Sequence, residues 1–300
     1  MPRRPRLRST AVGFLLIAMP FAVAADPDAT EFATWREARE ARLRADNGWL
    51  SLVGLFWLDE GENSFGASRE ARVVLPEDAG PEHAGVFERK GDAVTLRLAD
   101  GVTATVDDVP FRARALRTDA AGAPELVRLG RISFSVIARG ERLGVRMRDP
   151  ESPARREFGG CDWFAPRADL RVRARFERYD PPRTLAIPNV LGDLLEESCP
   201  GVAIFEVDGR KCRLEPTIGD PETGELFFVF GDASNGVSTY PGGRFLDADA
   251  PVNGTVLLDF NRAVNPPCAF TAFATCPLPP ESNRLPVALE AGERFDGEHP

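Results

Sequence analysis

Histidine is almost missing from this 300-residue chain: His83 and His299 are the only two. That scarcity excludes a serine–histidine–acid triad, an H-E-x-x-H zinc site and a three-histidine metal site, each of which needs more imidazoles than are present. His83 sits in the turn Pro81-Glu82-His83-Ala84-Gly85, where a solvated loop residue is expected rather than a base. Acid–base chemistry would have to come from carboxylates, cysteine or tyrosine, and Tyr179 and Tyr240 are the only tyrosines. Lysine is as scarce: Lys90 and Lys211 stand among 37 basic residues, the rest arginine. A formal net charge of -9 leaves no net basic face for a phosphate backbone, so nucleic acid is not an expected partner. Glycine (27) and proline (26) are abundant, and 43% hydrophobic residues give a globular composition.

No apolar run is long enough to span a bilayer comfortably. The first residues instead read as a secretory signal over 1–24. Arg3, Arg4, Arg6 and Arg8 form a basic start, Ala11 to Met19 a short apolar core, and Ala22-Val23-Ala24 a small-residue cleavage site. No cysteine follows that site, so no stable membrane anchor is expected after cleavage. The expected location is periplasmic or extracellular, an oxidising place.

One helix is predicted, from Thr30 to Asp46. Thr30 is at its cap, Arg36–Glu40 and Glu40–Arg44 are at i,i+4, and Asn47-Gly48 is the stop. Trp49 to Leu58 is nearly all apolar and reads as a buried strand or packing segment. The remainder alternates in short strands. Gly91-Asp92, Asp100-Gly101, Arg139-Gly140-Glu141 and Asp208-Gly209 are hairpin turns, the last of type I′. It puts Val207 opposite Arg210 and Phe205 opposite Cys212, so Cys212 shares an apolar face and Cys199 lies off the end of the pairing. In Leu170 to Phe176, Leu170, Val172, Ala174 and Phe176 face one way. Arg171, Arg173 and Arg175 face the other, a solvated row or an anion-holding stripe. The fold class is mainly β: antiparallel sandwich or barrel-like sheets with one N-terminal α-helix. Residues 25–300 read as a single β-rich domain. A seam near 149–165, marked by Asp149-Pro150-Glu151-Ser152-Pro153, can divide it into two lobes.

Five cysteines leave at least one unpaired. Cys268 and Cys276, eight apart in one loop, admit a local disulfide, a metal or a nucleophilic thiolate. The spacing fits no zinc pattern, so no metal is predicted. A thiolate would want a base, and a pair of buried free thiols stands level with the disulfide. Ser234 lacks the G-x-S-x-G surroundings of a nucleophile elbow because Asp232 replaces the first glycine. Asp247 and Asp249 lack the glycine and distal glutamate of a calcium loop.

The segment from Leu258 to Pro286 carries the strongest expectation. Asp259, Asn261, Arg262 and Asn265 follow an apolar strand. Pro266, Pro267, Pro277, Pro279, Pro280 and Pro286 stiffen the chain, and Asn283 and Arg284 add a second polar pair. Arginines with amide and carboxylate neighbours on a stiff loop suit an anionic or polyhydroxylated ligand, with Asp259 orienting Arg262. The same groups would equally serve to tie the loop's backbone to the sheets, in a non-catalytic envelope or interaction module.

These residues resemble an uncharacterised bacterial family known as domain of unknown function 1684. The shared motifs are Gly48-Trp49-Leu50, Gly54-Leu55-Phe56-Trp57-Leu58, Glu60-Gly61, Asn63 and Phe65-Gly66. They continue with Arg148-Asp149, Ser152-Pro153, Trp163-Phe164, Phe228-Val229-Phe230 with Asp232, Thr239-Tyr240 and Gly243-Arg244-Phe245-Leu246. The longest runs from Asp259-Phe260-Asn261-Arg262-Ala263 through Asn265-Pro266-Pro267-Cys268-Ala269-Phe270 and Ala274-Thr275-Cys276-Pro277 to Asn283-Arg284-Leu285-Pro286. At Val264 and Phe273 the family often carries tyrosine, so two hydroxyls are missing here. The resemblance brings no activity, substrate or cofactor, and none is predicted. It directs attention to a small-molecule site built from Asp232, Tyr240, Arg244, Asp259, Asn261, Arg262, Asn265, Asn283 and Arg284.

Overall fold

The structure is a computed structural model describing residues 27–295 and 297. The signal reading over 1–24 and His299 lie outside the described residues. A helix, Pro27–Arg44, opens the described chain and carries Arg42 and Arg44 in its last turn, where cations oppose the negative end of the helix dipole. Glu40 pairs with Arg44 at 3.2 Å, one turn on. The helix stops because the chain doubles back over its last carbonyls: Gly48 N–H donates to Ala45 O at 2.8 Å. A Cβ at Gly48 would lie 2.4 Å from Leu43 O, so only glycine fits there.

The alternating segments then build two pairs of sheets around two separate cores. In the N-terminal half, a six-stranded sheet runs in the order Leu52–Trp57, Arg142–Arg148, Ile132–Arg139, Val127–Leu129, Ala104–Val106, Val109–Phe111. It faces a five-stranded sheet ordered Val73–Val74, Gly61–Gly66, Gly85–Lys90, Ala93–Leu98, Ala113–Leu116. All pairings are antiparallel except the short parallel one between Phe65 and Val73. Phe65, Phe87 and Phe134 meet edge to face at 5.2, 5.3 and 5.7 Å in the middle of this core. Each such contact adds about 0.5–1.5 kcal/mol beyond area burial. Truncating Phe134 to alanine is expected to cost about 3–5 kcal/mol.

The C-terminal half has a four-stranded sheet ordered Arg210–Leu214, Leu194–Val207, Arg171–Pro188, Thr255–Asp259 and a three-stranded sheet ordered Thr217–Asp220, Glu225–Phe230, Arg244–Ala248. Phe228, Phe230, Leu246, Leu258 and Phe260 lie in its core. No buried apolar residue belongs to both cores, and the chain passes from Met147 in the first to Leu170 in the second. The sheets stay open and do not close into a barrel.

Local patterns and registers agree with the sequence in most hairpins. Val207 pairs with Arg210 and Phe205 with Cys212. Leu170, Ala174 and Phe176 are buried while Arg171, Arg173 and Arg175 are exposed. Asp100-Gly101 differs: Ala93–Leu98 pairs with Ala113–Leu116, whereas Ala104–Val106 belongs to the opposite sheet, so this turn crosses between layers and makes no hairpin. The Trp49 segment begins as a tight 3-10 turn, Trp49–Ser51, and becomes a strand at Leu52.

The two halves touch through polar groups. The hairpin between Arg171–Pro188 and Leu194–Val207 reaches out so that Asp193 pairs with Arg142 of the N-terminal half, while its Val190 N–H donates to Cys276 O at 3.0 Å within the C-terminal half. Arg139 donates to Thr275 Oγ1 at 3.0 Å. The N-terminal helix packs on the far half: Arg36 donates to Phe164 O at 2.9 Å, and Trp35 meets Trp163 at 5.5 Å.

Candidate functional site

The expected strand through Asp259 and Asn261 ends at Asp259, whose carboxylate caps a 3-10 turn, Phe260–Arg262, by accepting from Asn261 N–H at 3.2 Å. Asn261 then turns inward. Its Oδ1 accepts from Arg167 N–H at 2.7 Å, and its Nδ2 donates to Arg167 O and Asp259 Oδ1, both at 2.9 Å. Every polar group of this amide is engaged by the chain itself.

Asn283 behaves in the same way. Its Oδ1 accepts from Glu215 N–H at 2.8 Å, and its Nδ2 donates to Glu215 O at 2.8 Å and Val229 O at 3.0 Å. It joins the end of one sheet to the strand Glu225–Phe230. Arg284, next in sequence, is exposed, while its backbone bridges to Gly231. Tyr240 is buried, and its hydroxyl donates to Cys268 O at 3.2 Å.

Arg244 is fully buried. It donates to Asp232 Oδ2 at 2.6 Å, to Leu289 O at 2.7 Å and to Ala291 O. Asp232 Oδ1 accepts from Ser234 N–H at 2.8 Å and Leu289 N–H at 3.2 Å. The pair therefore straps the last described segment across the sheets, and these hydrogen bonds offset part of the cost of burying both charges, while the Arg244 Nε has no partner. Ser234 is buried beside it and is held by Asp232 and Thr239, as a turn residue.

Arg262 faces the N-terminal helix. It pairs with Glu31, lies 3.9 Å from Asp259 Oδ2, and sits 5.9 Å from the ring centres of both Phe32 and Trp35. With Asp259, Arg171, Asp247 and Asp249 it lines a cleft of about 320 Å³. The sequence-predicted residues thus do not gather around one pocket. Asp259 and Arg262 share this cleft, Asn265 lies in another, and Arg284 stands apart on the surface. Arg244, Asn261, Asn283, Asp232 and Tyr240 are spent on internal contacts.

Of the two readings for the loop cysteines, the disulfide is absent: Cys268 and Cys276 are free thiols, as are Cys161, Cys199 and Cys212. The two nonetheless touch, because Cys268 N–H donates to Cys276 Sγ at 3.2 Å. Among the described residues no group of three or more His, Cys, Asp and Glu is arranged to hold a metal ion. No described helix is long and apolar enough to cross a membrane.

A cleft of about 480 Å³ opens where residues 154–162 face the loop after Asn265. Phe158, Cys161, Asp162, Asn265, Phe270 and Arg294 are among its lining residues. Asn265 is built rigidly. Its N–H donates to Glu293 Oε2 at 2.6 Å, its carbonyl accepts from Arg39 at 3.0 Å, and its Nδ2 donates to Arg294 O at 2.9 Å. Its Oδ1 makes no hydrogen bond although the residue is only 4% exposed. Glu293 is wholly buried and pairs with Arg39 at 2.8 Å. Burial, and secondarily the Glu293 charge, push the Cys161 thiol well above its ordinary range, so it is protonated at neutral pH. Sequence reasoning missed Cys161, Asp162, Glu293 and Arg39 as a group. Arg39 and Glu293 stand 254 residues apart, and no local pattern links them.

No curated protein matches the chain. A solution structure of an uncharacterised protein from Haloarcula marismortui is 33% identical, covers 50% of this chain and 85% of its own, and superposes with a TM-score of 0.41. An FHA domain, from a structural study of phosphothreonine-dependent FHA interactions, is 18% identical over 31% of this chain and 92% of its own, with a TM-score of 0.23. Residues 156–294, which hold the C-terminal core and the whole proline-rich loop, match the family described as "Protein of unknown function (DUF1684)". The early motifs between Gly48 and Pro153 lie before the matched segment. Over residues 156–294 the chain carries the domain of this DUF1684 family.

Proposed function

We propose that this protein acts after export and binds a polyhydroxylated small molecule in the cleft between residues 154–162 and the Asn265–Phe270 loop. The carrying observation is Asn265, a cleft-lining residue whose N–H, carbonyl and Nδ2 are fixed by the chain while its buried Oδ1 has no hydrogen-bond partner. A buried acceptor without a partner costs about 1–3 kcal/mol, which a ligand hydroxyl would recover. The cleft volume of about 480 Å³ is of the size that encloses small ligands. Glu157 and Asp162 add acceptors for hydroxyl groups, and Arg294 adds a donor. Phe158 and Phe270, 6.2 Å apart, supply the apolar surface on which a sugar-like ring rests.

Thermal-shift screening of the full chain with monosaccharides, sugar acids and polyols tests this, since a ligand that binds only the folded state raises the melting temperature. Phe270→Ala and Arg294→Ala are expected to remove the shift without preventing folding. No shift with any member at roughly 10 mM would reject the reading. That result favours the second one, an envelope or interaction module with a structural loop, which draws support from the backbone-bound Arg244, Asn261 and Asn283. Export is tested separately: the protein from its native host should begin at Ala25 and leave the cell with the periplasmic or culture fraction.

A further inference from the structure

The loop cysteines carry an inference independent of the ligand cleft. Cys268 sits in the short turn Pro267–Ala269, half-exposed, and its N–H points at Cys276 Sγ at 3.2 Å. Cys276 is 3% exposed beneath it. The loop therefore places a partly buried cysteine beside a fully buried one.

The surroundings lack the usual counterpart of a buried cation. Arg146 projects from the strand Arg142–Arg148 of the other half and is only 7% exposed. It forms no salt bridge among the described residues. Its Nη2 donates to Thr275 Oγ1 at 3.2 Å, its Nε has no partner, and the Trp49 ring lies 5.6 Å away. The nearby carboxylate of Asp119 is bonded to Arg139 at 2.7 Å. Desolvation, then the charges of Arg139 and Arg148, lower the Arg146 pKa to about 10, so it keeps its charge at neutral pH. A buried cation without an anion is costly. The group nearest in chain to its Thr275 contact that can become an anion is Cys276, with which Arg146 interacts electrostatically.

We propose that Cys268 and Cys276 are a hydroperoxide-reactive dithiol in which Cys268 attacks and Cys276 resolves. The Cys268 thiolate attacks the distal oxygen of a hydroperoxide. An S–O bond forms, the O–O bond breaks, and the departing alkoxide or hydroxide takes a proton to leave as alcohol or water. Cys276, giving up its proton, then attacks the Cys268 sulfur. An S–S bond forms, the S–O bond breaks, and hydroxide leaves with that proton as water. Two thiols are oxidised and one peroxide is reduced.

The electrostatics point the same way. Hydrogen bonding from the Cys276 thiol, against the opposing effect of burial and with help from the Tyr240 hydroxyl, draws Cys268 down to about 7. Hydrogen bonding to Cys268, then burial, push Cys276 upward, and the Arg146 charge opposes that rise. Burial raises Cys161, Cys199 and Cys212, which leaves Cys268 as the favoured nucleophile. This supplies what the missing histidine would otherwise provide.

Pre-reduced full-length protein, treated with hydrogen peroxide, is expected to lose two of its five thiols. Its mass should fall by about 2 Da, and peptide mapping should find Cys268 linked to Cys276, reversibly with dithiothreitol. In Cys276→Ser the reaction should stop at a sulfenic acid on Cys268 that dimedone captures. Cys268→Ser should slow peroxide consumption roughly tenfold. Wild-type protein that keeps all its thiols in excess peroxide overturns the proposal. So does oxidation spread evenly onto Cys161. The wild-type mapping decides the question even where a serine variant does not fold.

Discussion

Asp232 and Arg244 form an ion pair at 2.6 Å with both side chains wholly removed from solvent. Asp232→Ala would leave the guanidinium buried without its anion, a change that costs about 3–5 kcal/mol. The melting temperature should fall by on the order of 10 °C. The double variant Asp232→Asn with Arg244→Met should lose less than the two single changes added together, because it removes charge and counter-charge at once. Scanning fluorimetry of the parent, Asp232→Ala, Asp232→Asn, Arg244→Met and the double variant checks both statements.

Asn283 and Arg284 are adjacent in sequence and opposite in role. Asn283→Ala strands the Glu215 N–H, the Glu215 carbonyl and the Val229 carbonyl, and should cost about 2–4 kcal/mol. Arg284→Ala changes an exposed side chain and should stay within about 0.5 kcal/mol of the parent. Urea melts separate the pair, and equal effects would refute the description of this loop.

Arg39 supplies the cation for Glu293, whose carboxylate is 0% exposed. Arg39→Met is expected to destabilise by about 3 kcal/mol or more, since the carboxylate must then stay charged without a partner or take up a proton. Adding Glu293→Gln should restore part of the loss. A melting temperature unchanged in Arg39→Met would show that the helix is not seated on the C-terminal half.

Glu215 provides a pH signature. Burial raises its pKa, but hydrogen bonds from Tyr179 and Ser282 and the nearby Arg213 outweigh that, and the net shift is downward from 4.5. A carboxylate with a depressed folded pKa contributes stability above its unfolded value and loses it as pH falls through the folded one. The stabilisation is therefore complete at neutral pH and fades below about pH 4.5. Glu215→Gln should melt lower than the parent at neutral pH and approach it in acid. Melting curves between about pH 3 and about pH 7 test the convergence.

The sequence was most legible where a signal is local. Asp208-Gly209 fixed the hairpin register down to Phe205 opposite Cys212, because a two-residue turn leaves one in-register pairing. The alternation from Leu170 to Phe176 announced its buried and exposed faces for the same reason. Asp100-Gly101 has the same turn chemistry and misleads, since turn residues say that the chain reverses and not which sheet receives the next strand. In the proline-rich loop, the residue types were informative and their direction was not. An arginine among amides and carboxylates suits an outward ligand and an inward strap equally. Burial of Arg244 is decided by Leu289 and Ala291, whose carbonyls are far along the chain. The cleft joining Cys161 to Asn265 was invisible for that reason: its walls, residues 154–162 and the loop after Asn265, are far apart in sequence and meet only in the tertiary fold.

The seating of the N-terminal helix separates two kinds of boundary. The family match begins at residue 156, yet the deepest acid near its end draws its counterion from residue 39, on a helix outside the match. The matched stretch is thus shorter than the part of the chain that this ion pair holds together. A relative that carries the matched stretch alone must place another cation at this spot, or an uncharged side chain where Glu293 stands. The identity of that substitute would reveal how such a protein is closed off at its base.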